Sequence, residues 1–288
     1  MNSTLRATTV AAFVALTTTP AFALPNPTDV FPAQGGPIRI TPIYHASFQI
    51  EYAGKVFQVD PFSAGDFEGA KLADFILITH THPDHLDPAG IREVERGNFA
   101  HPVHVFGPPS VIEQVKKLRS TGIAPQMRLS GLITQTLRNG QIEVFNSGPD
   151  VAHQKPLFTL EAVPMYNIVR GPKPGQKFHP KGQFDGFILT LGGKRIYIAG
   201  DTEATPEMKA LKNIDIAFLP MNLPYTMTPQ EAAQGARAFK PKVVYPYHYR
   251  FPFNKPNDNP QQFQKALAGS GIDVRIRNWY GHVSQVAG

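Results

Sequence analysis

One stretch, Phe75-Ile76-Leu77-Ile78-Thr79-His80-Thr81-His82-Pro83-Asp84-His85, constrains this 288-residue chain more than any other. Its four apolar residues run without alternation, the pattern of a strand covered on both faces, which belongs inside a layered α/β architecture. Three imidazoles and a carboxylate come next, within six residues, at the carboxyl end of that strand. In extended chain His80 and His82 point to the same side, because side chains alternate with period two, so both can face one metal ion. Pro83 then turns the chain and re-aims Asp84 and His85 toward a neighbouring position, where a second ion could be held.

The flanking sequence supports a mixed sheet fold. Ile38 to Ile43, Ser47 to Tyr52 and Lys55 to Val59 read as strands, the last two joined by an Ala53-Gly54 turn. Asp87-Pro88 reads as a cap and first helical position, opening a helix through Glu95. A strand at Val103 to Phe106 leads to a helix at Ser110 to Arg119 that stops at Gly122. Four further strands, Gly140 to Phe145, Phe158 to Val163, Gly186 to Leu191 and Arg195 to Ala199, lead to Gly200-Asp201-Thr202. Beyond it, helices opened at Thr205-Pro206, at the capping box Thr228-Pro229-Gln230-Glu231 and at Asn259-Pro260 alternate with strands at Ile214 to Leu219, Val243 to Tyr245 and Val274 to Arg277. No solenoid-length repeat or low-complexity linker interrupts the series, so one domain is expected over residues 24–288.

Residues 1–23 differ. Arg6 is their only charge, an apolar run spans Val10 to Leu16, and Ala21-Phe22-Ala23 has the small residues of a cleavage site, so a signal peptide is expected, with a periplasmic or secreted mature chain. No later segment is long and apolar enough for a transmembrane helix. Cysteine is absent, which excludes thiol nucleophiles, iron–sulfur clusters and thiolate zinc sites; any metal must be held by histidine, carboxylate or amide groups. The formal charge of +6 is spread along the chain, with no Lys/Arg tract, so no nucleic acid partner is expected.

Four ligands cannot close two metal sites. Asp201 and His248 are the natural additions, since each stands just past an apolar strand, and one carboxylate can bridge two cations through its two oxygens. HTHPDH, the GDT at 200–202 and the late His248 resemble, in order, the H-x-H-x-D-H signature and downstream elements of the metallo-β-lactamase superfamily. With IYHASFQIEYAGKVFQVDPF, they look most like its branch containing ascorbate phosphate lactonase and the phospholipase D acting on N-acyl phosphatidylethanolamine. The resemblance covers nearly all of the chain after residue 23 and implies a four-layer αββα sandwich with the site at one edge. It also implies that His80 and His82 bind a first metal, that Asp84, His85 and His248 bind a second, and that Asp201 bridges them. Relatives place another histidine on the first metal, where this chain has Pro164-Met165-Tyr166-Asn167. His179 is the better zinc ligand, while the Asn167 amide stands closer to the matching position. Asp60 reads either as an acceptor orienting a ligating histidine or as a turn residue, and His45, His101, His104, His153 and His282 as structural.

The implied chemistry is hydrolysis by a hydroxide shared between two divalent ions, zinc by default and manganese, iron or nickel otherwise, with Asp84 orienting the water. An ester, lactone or phosphodiester of a small molecule is the expected substrate. A negatively charged one fits if Arg170, Lys173, Lys177 and Lys181 grip it from their loop; a merely solvated loop is the other reading. The alternatives are a metal-poor, non-catalytic binding protein of the same fold, a periplasmic β-lactamase and a nuclease. Redox chemistry at iron would replace the second histidine by glutamate, and His82 stands against it.

Overall fold

A computed structural model describes residues 26–95, 102–120, 131–146 and 156–280. The expected signal peptide, Gly122, His101, His153 and His282 lie outside them. The alternating and continuous apolar runs become two seven-stranded sheets, each with its strands in chain order. The first holds β1 (Asp29–Phe31), β2 (Ile38–Tyr44), β3 (Ser47–Tyr52), β4 (Lys55–Val59), β5 (Phe75–Leu77), β6 (Val103–Gly107) and β7 (Leu132–Thr136). The second holds β8 (Ile142–Phe145), β9 (Phe158–Met165), β10 (Phe184–Leu191), β11 (Lys194–Ile198), β12 (Ile216–Pro220), β13 (Val243–Tyr247) and β14 (Asp273–Val274). Both have one plan: an antiparallel meander through β4 or β11, then parallel strands to the far edge.

Parallel neighbours require a crossover, and helices supply most of them. After β5 and β6 come α1 (Pro88–Val94) and α2 (Pro109–Ser120); after β11, β12 and β13 come α3 (Pro206–Ala210), α4 (Pro229–Phe239) and α5 (Asn259–Ala266). Three starts are the ones the sequence announces. Asp87 accepts from Ala89 N, Thr205 accepts from Met208 N, and Thr228 and Glu231 cap each other reciprocally.

The sheets meet through aromatic side chains. Phe48 on β3 stacks on Phe218 of β12 at 4.1 Å between ring centroids, and Phe57 and Phe75 meet Phe158 of β9 at 5.0 and 4.8 Å. Because that interior is filled, the helices cover the outer faces, α2 on β6 and β7 and α5 on β13, which gives the αββα layering.

Strand bounds shift by a few residues, and two of the shifts bear on the packing. The last strand ends at Val274 rather than Arg277, because Arg275 and Arg277 turn toward Asp29 of β1, at 3.1 and 2.6 Å, and tie the two sheets together. Strand β13 runs on to Tyr247, bringing its end next to His248. Strands β1 and β7 carry no expectation: β1 has three residues, and β7 is an edge strand that buries only Leu132, so neither shows the alternation that marks a half-buried strand.

The turn after β11 is sterically determined. Gly200 has φ +63° and donates its N–H to the Tyr247 hydroxyl at 2.9 Å; a Cβ there would overlap Met165 Sδ and stand 3.1 Å from Thr79 Cβ. We expect Gly200→Ala to lower stability by about 1–3 kcal/mol, the range for backbone strain added to a core clash, and to displace Asp201. Urea unfolding checks this, and an unchanged midpoint would refute it.

On β10, Asp185 is buried with Oδ2 unpartnered, and burial pushes its carboxyl up to about 7 despite the opposing pull of Arg138. The unfolded chain gives up this proton near its ordinary value of 3.8, so stability falls as pH rises from there to about 7 and then levels off. Asp185→Asn removes that loss. Thermal unfolding at pH 8 should occur at a higher temperature in the variant, with the difference vanishing near pH 4.

Candidate metal centre

The ends of β4, β5, β11 and β13 deliver the candidate ligands to one edge of the sandwich. Asp60 comes after β4, the histidine run after β5, Asp201 after Gly200 at the end of β11, and His248 after β13. Two groups result: His80, His82, His179 and Asp201, and His45, Asp84, His85 and His248. In each, the nitrogen and oxygen atoms available to a metal all lie within 4.8 Å of one another. Asp201 spans both. Its Oδ1 is 3.5 Å from His85 Nε2 and 3.3 Å from His248 Nε2, while Oδ2 is 3.6 Å from His179 Nε2 and 4.0 Å from His80 Nε2.

Hydrogen bonds on the far side of the rings fix which nitrogen faces the centre. Asp60 Oδ1 accepts Thr79 N–H at 2.8 Å, and Oδ2 accepts both the Thr79 hydroxyl and His85 Nδ1–H, each at 2.8 Å. The Thr79 hydroxyl, its proton given to Asp60, accepts from His80 Nδ1 at 3.0 Å. Asn167 Oδ1 accepts from His179 Nδ1 and from His179 N, both at 2.8 Å. His80, His85 and His179 therefore turn Nε2 inward with its lone pair available, the arrangement of histidines that ligate a metal.

His80 Nε2, His85 Nε2, His248 Nε2 and Asp201 Oδ1 are buried and make no hydrogen bond. Four buried nitrogen and oxygen atoms without partners, converging at one place, would be costly in a site without a cation, so the residues present fit divalent metal. The electrostatics agree. Burial lowers the pKa of His80, with His85, His179 and His82 adding to the effect, and burial takes His179 down to about 4, so these rings are neutral and ready to donate. Burial would lower His85 as well, but Asp201, Asp60 and Asp84 raise it to about 9, which records how strongly these carboxylates demand positive charge. Burial would raise Asp84, but His85 first, then His248 and His45, hold its carboxyl far below the usual range.

The structure bears on three readings left by the sequence. Asn167 does not face the centre; its carbonyl orients His179, and its Nδ2 donates to Tyr225 O at 2.8 Å. Of the loop cations, Arg170 is engaged by Glu231 at 2.7 Å and Glu203 at 3.5 Å, and Lys181 by Glu207 at 2.7 Å, leaving them occupied rather than poised for a ligand. His45, expected to be structural, lies within the second group, with Nε2 3.1 Å from Asp84 Oδ2 and its ring centroid 3.7 Å from that of His248. As a lone histidine between two strands it offered no spacing signal. Asp60 is both a turn residue, with φ +40°, and the acceptor that orients His85.

His45 differs from its neighbours in tautomer. The Tyr280 oxygen accepts Tyr249 N–H at 3.2 Å and Arg250 N–H at 3.1 Å, so its own proton goes to His45 Nδ1, 2.6 Å away. Nε2 then carries the hydrogen and donates it to Asp84. His45 thus steers a ligand without being one.

A fold of two mixed sheets flanked by helices, with imidazoles and carboxylates converging at one edge, defines the metal-dependent hydrolases of the metallo-β-lactamase fold. The sequence profile described as Beta-lactamase superfamily domain matches residues 39–248, and the chain belongs to that superfamily. A UPF0173 metal-dependent hydrolase of Geobacillus thermodenitrificans is 30% identical over 231 residues, covering 77% of this chain and 90% of its own. One from Methanopyrus kandleri is 26% identical over 252 residues, covering 83% and 95%. The crystal structure of a putative metal-dependent hydrolase from Parabacteroides distasonis superposes with a TM-score of 0.69 at 38% identity, covering 88% of this chain and 98% of that one. The protein is a metal-dependent hydrolase.

Replacing Tyr280 by Phe removes the proton that fixes the His45 tautomer. We expect Tyr280→Phe to weaken divalent-ion affinity at the Asp84, His85 and His248 group by roughly tenfold, as loss of an orienting partner does elsewhere, and to spare the His80, His82 and His179 group. Chelator competition followed by elemental analysis measures both, and equal affinities in variant and parent would refute the steering role.

Proposed function

We propose that the protein is a dinuclear hydrolase that cleaves an ester, lactone or phosphodiester of a small molecule. The observation carrying this reading is the division of Asp201, with one oxygen toward His85 and His248 and the other toward His80 and His179. Two divalent ions bound there would supply a hydroxide at working pH and polarise the bond under attack.

The chain's own residues do the rest. His80, His82 and His179 would hold one ion, Asp84, His85 and His248 the other, and Asp201 would bridge them. Asp84 keeps its side chain 27% exposed toward the cleft, and its low pKa leaves it an acceptor able to orient a water. His45 keeps that carboxylate in place, and Asp60 does the same for the imidazole of His85. No side-chain nucleophile is required. Imidazole–carboxylate sets accept zinc, manganese, iron or nickel, with zinc the default. The likeness to ascorbate phosphate lactonase and the N-acyl phosphatidylethanolamine phospholipase D supports hydrolysis of acyl or phosphoryl esters in general.

Export is part of the proposal, with cleavage after Ala23; the apolar run Val10 to Leu16 and the Ala21-Phe22-Ala23 triplet support it. Among the described residues no helix is long and apolar enough to cross a membrane. Amino-terminal sequencing of the protein recovered from its producing cells tests the cleavage.

Elemental analysis of the purified protein should give two metal ions per chain, and Asp201→Ala should lose both along with hydrolysis. A metal-free protein that still hydrolyses, or a parent protein that binds no metal under saturating zinc or manganese, would overturn the proposal; the latter would make it a binding protein.

A further inference from the structure

The walls of the cleft above the metal centre bear on the substrate. The cavity, of about 450 Å³, exposes His82, Asp84, Asp201 and His248 at its floor. Its sides are Phe62, Phe178, Tyr225, Phe251 and Phe253, with Pro83 and Asn222 completing the lining, and among the described residues neither a lysine nor an arginine lines it. The rings form a continuous arc. Phe178 meets Tyr225 edge-on at 4.9 Å, Tyr225 meets Phe251 at 5.7 Å, Phe251 meets Phe253 at 5.6 Å, and Phe253 meets Phe62 at 5.9 Å. Phe251 stands 51% exposed at the mouth, a large apolar surface left to water beside a polar floor.

From this lining, and on the hydrolase reading above, we infer that the substrate is an uncharged carboxylic ester or lactone bearing an aromatic or branched apolar group. That group packs against the arc while the carbonyl faces the floor. An anionic substituent would have to shed its water against five rings, with no cationic side chain among the described lining residues to receive it. Of the four loop cations, Arg170 and Lys181 already face Glu203, Glu231 and Glu207. Asn222, 4% exposed and part of the lining, adds an uncharged amide that suits a carbonyl or ester oxygen. In the reaction water adds to the carbonyl carbon and the acyl C–O bond breaks. The alkoxy group leaves with a proton as the alcohol, and the acid product is released as carboxylate and a proton.

The test uses the zinc-loaded full chain and three chromogenic substrates sharing a leaving group: 4-nitrophenyl benzoate, 4-nitrophenyl hemisuccinate and bis(4-nitrophenyl) phosphate. The benzoate should exceed both anionic compounds in kcat/KM by at least about tenfold, and Phe178→Ala or Phe251→Ala should lower the benzoate value about tenfold, mainly through KM. Lys177→Glu should leave the benzoate value unchanged. Preference for either anionic compound, or ring variants that turn over benzoate like the parent, would overturn the inference. Calorimetric binding of the unreactive ketone phenylacetone separates the two readings. Binding that weakens about tenfold in Phe178→Ala supports the cleft assignment even where no ester is cleaved, in which case only the hydrolase reading fails; equal binding in parent and variant overturns the assignment.

Discussion

Two buried carboxylates, Asp60 and Asp201, and the partly exposed Asp84 sit among five inward-facing imidazoles at the edge of a hydrophobic sandwich, and the structure around them is arranged to make the burial tolerable. A carboxylate out of water needs donors or a cation. Asp60 has donors: a backbone N–H, a hydroxyl and an imidazole N–H saturate it. Asp201 has none of these and instead has imidazole nitrogens at 3.3 to 4.0 Å on two sides, contacts too long for hydrogen bonds but suited to ions lying between. The difference between these two aspartates is the difference between an orienting group and a candidate ligand. The rise of His85 to about 9 has the same origin, since a proton on that ring answers the same demand for positive charge.

The position of this cluster is a consequence of the repeated sheet plan. In each sheet the chain stops meandering and begins parallel pairing between β4 and β5 or between β11 and β12. Parallel strands all end on the same side, so their carboxyl-end loops gather there, and packing the two sheets face to face brings both gatherings together. Asp60 after β4 and Asp201 after β11 occupy matching places in the two halves. Each stands at a tight turn, where Asp60 takes φ +40° itself and Asp201 comes directly after Gly200 at φ +63°. One half carries an anchor for an imidazole at that place and the other a carboxylate facing both groups of candidate ligands.

Legibility in the sequence tracked how local each interaction is. His80, His82, Asp84 and His85 lie within one turn of chain, so residue type and spacing were sufficient. Asp201 and His248 could be reached from their places just beyond apolar strands, and the helix starts at Asp87, Thr205 and Thr228 by their capping chemistry. His179 was harder, because it sits in a loop whose placement depends on Asn167, twelve residues earlier. His45 was out of reach. Its role depends on Tyr280, 235 positions away, and that tyrosine acts only because two backbone N–H groups already occupy its oxygen. The two open readings of the cationic loop could not be separated for the same reason: the carboxylates that pair with Arg170 and Lys181 come from the segments around α3 and α4.

Those nonlocal partners also explain how one edge can serve two chemistries side by side. The floor is polar and its geometry is set by residues behind it, Asp60, Thr79, Asn167 and Tyr280, none of which lines the cleft. The walls are aromatic and come from four loops, after β4, before β10, after β12 and after β13. Arg170 strengthens that separation, since its pairing with Glu203 and Glu231 fastens the loop that carries Phe178 to the start of α4. A cation used as a structural tie in this way is unavailable to a substrate, and the wall it supports is apolar. The side chain for which the sequence left a substrate contact open is therefore, in three dimensions, part of the support of an apolar wall.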